Sequence, residues 1–312
     1  MNPRAAPLTL IMRQLCFRMV AVAYVASFCG APLAARAAGD RFFTTSDGVR
    51  LHYLEAGPPT AGTLVFVPGW TMPAWIWQRQ IEAFSSRYHV VALDPRGQGE
   101  SEIPGGGYEP GRRGADIGDL IAALGGRKVV LVGWSLGVLD SLAYVHEAGD
   151  GRLAGLVLLD NSVGENPPPR PEAAPRSTLP LPRPLRIRHF VEAMFRRPPG
   201  AAFLDRLTSD ALRTPPAFAA ALRAYPVPRS YWREAVYSVG KPLLYVVTPR
   251  LAGQAENLAA HDPLAETAVF ADAGHALFVD DAERFDAMLR DFIERRVWPV
   301  GGGAVASVSG GR

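Results

Sequence analysis

The sequence predicts an α/β fold: a mostly parallel central sheet flanked by helices, with a helical cap inserted after its middle. Short runs rich in valine and leucine, such as Thr63 to Val67, Lys128 to Val132 and Leu153 to Leu159, are continuously apolar, the pattern of parallel strands buried on both faces. Longer amphipathic stretches separate them, as expected of crossover helices between parallel strands. Residues 161–240 break this alternation. They hold 14 of the 28 prolines, and so proline-rich a stretch cannot supply central strands.

The elements follow in order. Phe42 to Thr45 and Val49 to Glu55 flank Ser46-Asp47-Gly48, a turn signal that reads as a β-hairpin. Further strands are expected at Thr63 to Val67, His89 to Leu93, Lys128 to Val132, Leu153 to Leu159, Pro242 to Val247 and Thr267 to Phe270. Helices are expected at Trp75 to Arg87, Arg112 to Ala123, Leu136 to Ala148 and Ala282 to Arg295. Within the proline-rich excursion, His189 to Arg197, Ala201 to Leu212 and Pro216 to Arg223 read as helices of a small cap. The expected division is therefore residues 38–163 and 241–300 for the core, 164–240 for the cap, and 301–312, rich in Gly, Ser and Ala, for a disordered tail.

Residues 1–37 carry the parts of an export signal in order. An arginine-bearing start precedes an uncharged stretch from Met19 to Ala35 and small residues around Ala35-Arg36-Ala37, so cleavage is expected after Ala37. The uncharged stretch is 17 residues long and broken by Pro32, marginal for a membrane span. No stable membrane insertion is expected after cleavage, and the expected location is periplasmic or extracellular. Cys16 and Cys29, the two cysteines of the chain, both fall in this segment. A mature chain without them has no thiol for a disulfide, a thiolate metal site or a cysteine nucleophile.

Charge location excludes another class. The 312-residue chain has a net charge of +3, but Arg4, Arg13, Arg18 and Arg36 lie in the export segment, leaving 29 basic residues against 30 acidic ones. No nucleic-acid partner is expected from such a balance. Basicity persists only in residues 161–240, where 12 arginines face six acids; it would attract anionic substrates or form an ordinary solvated surface. With 48% apolar and 20% charged residues the chain is neither disordered nor a disulfide-rich miniprotein.

The strongest chemical signal is Val129-Val130-Leu131-Val132-Gly133-Trp134-Ser135-Leu136-Gly137, a buried strand running through G-x-S-x-G into a helix. The sharp turn leaves no room for side chains at 133 and 137 and presents Ser135 in a strained, exposed conformation, as a nucleophile requires. A serine hydroxyl needs a base, and of six histidines His275 stands out. Ala273-Gly274-His275-Ala276-Leu277-Phe278 follows the last expected strand and precedes the final helix. His52, His89, His146, His189 and His261 have no comparable setting and are too dispersed to suggest a metal cluster.

Gly133 to Gly137, the Gly274-His275 pair and Asp94-Pro95-Arg96-Gly97-Gln98-Gly99-Glu100-Ser101 together resemble the α/β-hydrolase fold superfamily, in its serine-esterase-like branch with a helical cap. The resemblance extends over about residues 41–296. It implies an oxyanion hole made by the backbone N–H groups of Trp70 and Leu136, and a structural role for Asp94 to Ser101 at the site rim. Two departures stand out. The family's usual His-Gly pair is replaced by Pro68-Gly69-Trp70, which spares the hole because backbone and not side chain donates. The family's triad acid usually follows the strand matching Leu243 to Val247, yet Thr248-Pro249-Arg250-Leu251-Ala252-Gly253 contains no acid. Asp160, at the end of Leu156-Val157-Leu158-Leu159, occupies an alternative location known in the family and is favoured; Glu256, with Asp262 beyond it, is the other candidate.

The resemblance implies hydrolysis of a small-molecule carboxylic ester through an acyl-enzyme on Ser135, without metal or organic cofactor. Lactone, amide or thioester hydrolysis and cofactor-free perhydrolysis use the same residues. Haloalkane dehalogenases and epoxide hydrolases would need a carboxylate where Ser135 stands. A non-catalytic ligand-binding protein is disfavoured because nucleophile, base and acid are all present. Trp70, Met72, Trp75 and Trp77, with Phe195, Phe203, Phe218 and Tyr225 of the cap, are candidates for an apolar lining or for core packing.

Overall fold

The computed structural model describes residues 38–165 and 181–299. The expected export signal, residues 166–180 of the expected cap and the expected tail lie outside the described residues. Eight strands form one sheet: β1 (Gly39–Thr44), β2 (Arg50–Ala56), β3 (Thr63–Val67), β4 (His89–Leu93), β5 (Val129–Trp134), β6 (Leu153–Leu159), β7 (Leu243–Val247) and β8 (Ala265–Val269). Their order is β1-β2-β4-β3-β5-β6-β7-β8. The β1–β2 hairpin and the β2–β4 pair are antiparallel, and every neighbour from β4 onward is parallel.

Strand alternation divides the core into two layers. Val65 and Val67 of β3, Leu131 of β5 and Leu156 and Leu158 of β6 point to one face. There they meet α2 (Pro110–Ala123), α3 (Leu136–Ala148) and α8 (Ala252–His261). Leu64 and Phe66, Val130 and Val132, and Val157 and Leu159 point to the other, against α1 (Gln78–Phe84), α9 (Leu277–Asp280) and α10 (Ala282–Phe292). All of these strand residues are at most 1% exposed, which for each side chain is worth about 1.5–3 kcal/mol over exposure. The excursion between β6 and β7 contains α4 (Arg183–Glu192), α5 (Ala201–Arg213), α6 (Pro216–Ala221) and α7 (Arg229–Tyr237). Val191, Leu204 and Leu207 of α4 and α5 join the second layer, whereas Tyr231, Trp232 and Val236 of α7 join the first.

Several boundaries differ from expectation for local reasons. The stretch Trp75 to Arg87 splits into a 3-10 turn at Ala74–Trp77 and α1, which ends where the N–H groups of Arg87 and Tyr88 both turn onto the Phe84 carbonyl. α4 starts six residues before His189, because Pro184 sits in a first turn whose N–H groups have no intrahelical acceptor. It stops short of Arg197 because the Asp280 carboxylate accepts the backbone N–H groups of Arg196 and Arg197 at 2.8 and 3.2 Å. α7 and α8 have no counterpart among the expected helices: α7 is short and aromatic-rich, and α8 carries Gly253 and a buried Gln254 in its first turn. β8 lies two residues earlier than expected, its edge position leaving no clear alternation of burial. The final helix regularises only to Phe292 and closes in one π turn at Ile293–Val297.

Candidate active site

The carboxyl ends of β5, β6 and β7 meet at one point of the sheet edge, and each contributes to the site. At the end of β5, Ser135 has φ 55° and ψ −118°, a left-handed backbone that a serine adopts only under constraint. The constraint is the approach of β5 and α3. A Cβ on Gly133 would lie 2.4 Å from the Gly137 carbonyl oxygen, and one on Gly137 would lie 2.3 Å from that of Val67. The Ser135 N–H donates to Leu159 at 2.9 Å, and Asn161 Nδ2 donates to the Ser135 carbonyl at 2.8 Å. The turn is thus fixed from both sides.

At the end of β6, Asp160 also has positive φ, 48°, and is 2% exposed. Its N–H bonds to Val246 on β7 at 2.9 Å, which directs the side chain across the strand ends. The carboxylate accepts the N–H and the hydroxyl of Thr248 on Oδ1, at 2.7 and 2.8 Å, and faces His275 Nδ1 with Oδ2 at 2.7 Å. Burial opposes its ionisation, but the bonds from His275 and Thr248 outweigh burial and hold the carboxyl below the usual carboxylate range. An ionised carboxylate only accepts, so Nδ1 carries the imidazole hydrogen and Nε2 of the neutral ring is left as acceptor. Nε2 lies 2.8 Å from Ser135 Oγ. Serine, histidine and aspartate therefore form one hydrogen-bonded line.

The loop carrying His275 is held by two groups that the sequence did not single out. Asp280 accepts the Gly274 N–H at 2.6 Å while also binding the segment after α4, and the Trp134 indole donates to the His275 carbonyl at 2.8 Å. Trp134 also packs against the imidazole, with ring centroids 5.3 Å apart. The Gly274 and Asp280 bond is only six residues long and offered no motif.

Trp70 and Leu136 are the two expected backbone donors. The Leu136 N–H opens α3 and therefore has no intrahelical acceptor, and neither N–H finds another acceptor among the described residues. Trp70 lies in a turn closed by the Met72 N–H on the Gly69 carbonyl at 3.1 Å, with Thr71 at φ 59°. That strained turn is clamped by Gln98, whose amide oxygen accepts the Thr71 N–H. Gln98 belongs to the Asp94 to Ser101 segment, whose expected structural role at the rim takes this form. Asp94 binds the N–H groups of Ala74 and Glu100 and the ring of His52, and the fully buried Arg96 pairs with Asp116.

The alternative acid stands apart from this line. Glu256 is exposed on α8, while His275 Nδ1 is engaged by Asp160. Met72 and Trp77 are core residues, Trp77 stacking on Phe278 at 3.9 Å. Of the four candidate cap aromatics, Phe203 packs with Phe195 and on Trp75, Phe218 on Tyr108 and Tyr225 on Trp232. The ring facing Trp70 is Phe190, 5.0 Å away, which the sequence did not point to.

The profile of the alpha/beta hydrolase family matches residues 64–288, most of the chain. The chain belongs to this family. Among curated members, a non-heme chloroperoxidase from Streptomyces lividans is 38% identical over 117 residues, covering 37% of this chain and 42% of the relative. Epoxide hydrolase A from Mycobacterium tuberculosis is 30% identical over 177 residues, covering 54% of this chain and 51% of the relative. The matches thus span about half or less of these relatives' lengths. Among solved structures of the fold, one described as a candidate aryl esterase from Burkholderia cenocepacia superposes with a TM-score of 0.73 at 27% identity, covering 82% of this chain and 98% of that one. An esterase from Rhodococcus sp. superposes with a TM-score of 0.68 at 24% identity, over 85% of this chain and all of the other. This member is an alpha/beta hydrolase.

Proposed function

We propose that the protein is a serine hydrolase that cleaves small-molecule carboxylic esters through an acyl-enzyme on Ser135, with His275 as base and Asp160 as its orienting acid. The observation that carries this reading is the unbroken line from Ser135 Oγ through the His275 ring to Asp160, at 2.8 and 2.7 Å. Ser135 Oγ attacks the ester carbonyl while its proton passes to His275 Nε2, and the carbonyl electron pair moves onto oxygen beside the Trp70 and Leu136 N–H groups. Collapse expels the alcohol, which takes the proton from His275. Water then gives a proton to His275 as its oxygen attacks the acyl carbon, and Ser135 leaves with that proton as the acid is released. Asp160 keeps the ring oriented and stabilises the imidazolium without being protonated itself.

A panel of chromogenic esters of rising acyl length, assayed with the wild type and Ser135→Ala, tests the reading. Loss of nearly all turnover in the variant is expected; equal turnover in both overturns it. The chloroperoxidase relatives support a second reaction at the same acyl-enzyme, in which hydrogen peroxide replaces water and releases a peracid. Peroxide with acetate assays it directly. The enzyme is further proposed to work in the periplasm or outside the cell, after removal of residues 1–37; a mature chain starting at Ala38 by mass spectrometry is the expected result.

A further inference from the structure

A cavity of about 360 Å³ opens on the cap side of Trp70, between α4 and α6. Arg183, Arg186 and Arg223 line it together with Phe190, Ala219 and the Trp70 indole, and no acidic residue does among the described residues. Arg183 spends its donors on the carbonyls of Leu212 and Thr214, and Arg223 lies 5.2 Å over the Trp70 ring. None of the three forms an ion pair among the described residues. Their neighbours in the cap are different: Arg188 pairs with Glu192 and Asp205, and Arg213 with Glu100. Arg188 and Arg213 are thus paired with carboxylates, whereas Arg183, Arg186 and Arg223 meet at this cavity with no ion-pair partner among the described residues.

The cavity also lies close to the chemistry. Its Trp70 wall is tied to α6 by an indole bond to the Ala219 carbonyl at 2.7 Å, while the same residue's backbone N–H is an expected oxyanion donor. Gly69, next to it, packs so tightly on Ser135 that an added Cβ would lie 2.9 Å from the serine Cβ. Three guanidinium groups around one concavity repel one another and focus a positive field into it, a cost relieved when an anion enters. The planar forks of Arg186 and Arg223 suit carboxylate, sulfate or phosphate oxygens, and Phe190 and Trp70 offer apolar surface to the chain that would carry such a group.

We infer that this cavity receives an anionic group of the substrate, so that the preferred esters carry a carboxylate, sulfate or phosphate separated from the scissile carbonyl by the width of the Trp70 indole. This rests on the ester-hydrolase reading of Ser135. The test compares the mono-para-nitrophenyl ester of adipic acid with para-nitrophenyl hexanoate, the same leaving group with and without a terminal carboxylate.

At low ionic strength the wild type is expected to favour the anionic ester in kcat/KM by about tenfold, with the ratio falling as salt is added. Arg186→Gln and Arg223→Gln are each expected to lower the ratio about threefold, and the double variant to bring it near one. Arg127→Gln, which removes the same charge before β5 at the opposite edge of the sheet, is expected to leave the ratio unchanged. A wild-type ratio near one, or a ratio that the double variant does not move, overturns the inference while hexanoate hydrolysis keeps the ester reading intact. Failure of the wild type to hydrolyse either ester overturns both.

Discussion

Thr248 donates twice to a single oxygen of Asp160, by its N–H at 2.7 Å and by its hydroxyl at 2.8 Å, and so leaves the other oxygen to His275. The position after β7, where the family resemblance led one to expect an acid, thus holds a residue that orients the carboxylate at the end of the neighbouring strand. Asp160→Asn is expected to lower kcat/KM roughly 10³- to 10⁴-fold, because an amide can turn its NH₂ toward Nδ1 and favour the wrong tautomer. Thr248→Val, which removes one of the two donors, should cost about tenfold, and Glu256→Gln less than about twofold. Steady-state rates on one chromogenic ester decide the order; a large loss in Glu256→Gln with Asp160→Asn unaffected would move the acid to α8.

The turn that carries Trp70, the proposed oxyanion donor, is held by Gln98 in the same indirect way. Its amide oxygen holds the Thr71 N–H, and Thr71 is in the left-handed region directly after Trp70. Gln98→Leu is expected to lower kcat about tenfold with little change in KM, less than the roughly 10²- to 10³-fold cost of deleting a donor outright. An unchanged kcat in a folded variant would show that the turn holds itself.

Ser135 and His275 were legible in the sequence because their signals are local: a buried strand, a glycine-bounded turn and a following helix for one, a glycine-histidine loop before the last helix for the other. Asp160 was legible as a strand-end acid, but its pairing with Thr248 joins residues 88 apart and left no trace in either segment. Gln98 and Asp280 escaped for the same reason, since each acts on backbone N–H groups and any sequence there supplies those. The alternation of strands and helices gave the layered architecture, whereas the placement of β4 outside β3 is a tertiary choice that periodicity does not encode. The arginines of the cap could be counted but not sorted, because only packing distinguishes Arg188, beside two carboxylates, from Arg186, which forms no ion pair among the described residues.

Stability should depend on pH through Asp286 on α10. Burial pushes its carboxyl up to about 6, although Gln80 Nε2 donates to it at 2.9 Å. Between the ordinary carboxylate value, about 4, and about 6, the folded chain holds a proton that the unfolded chain has released, so this group's contribution falls as pH rises through that window. Asp286→Asn keeps an acceptor for Gln80 and removes the charge. At about pH 8 the variant should be the more stable by about 1 kcal/mol, after allowance for the solvent that reaches this half-buried group, and near pH 4 the two should coincide. Urea midpoints at the two pH values check the sign; a variant less stable at pH 8 would rule out an unfavourable buried charge.

Asp280 joins the His275 loop to the segment that follows α4. Its carboxylate accepts the N–H of Gly274, one residue before the proposed base His275, and those of Arg196 and Arg197, where α4 has ended. Removing an acceptor from three backbone donors strands all of them, and the two ends of the tether should loosen together. Asp280→Ala is therefore expected to destabilise the fold by about 2–4 kcal/mol and also to lower kcat on small neutral esters, since His275 loses the fixed loop that sets its distance to Ser135. Asp280→Asn, with one acceptor oxygen left, should fall between. Melting curves and kcat measured on the same preparations separate this coupling from simple destabilisation: at temperatures where every variant is fully folded, an undiminished kcat in Asp280→Ala would show that the histidine loop stands without the cap.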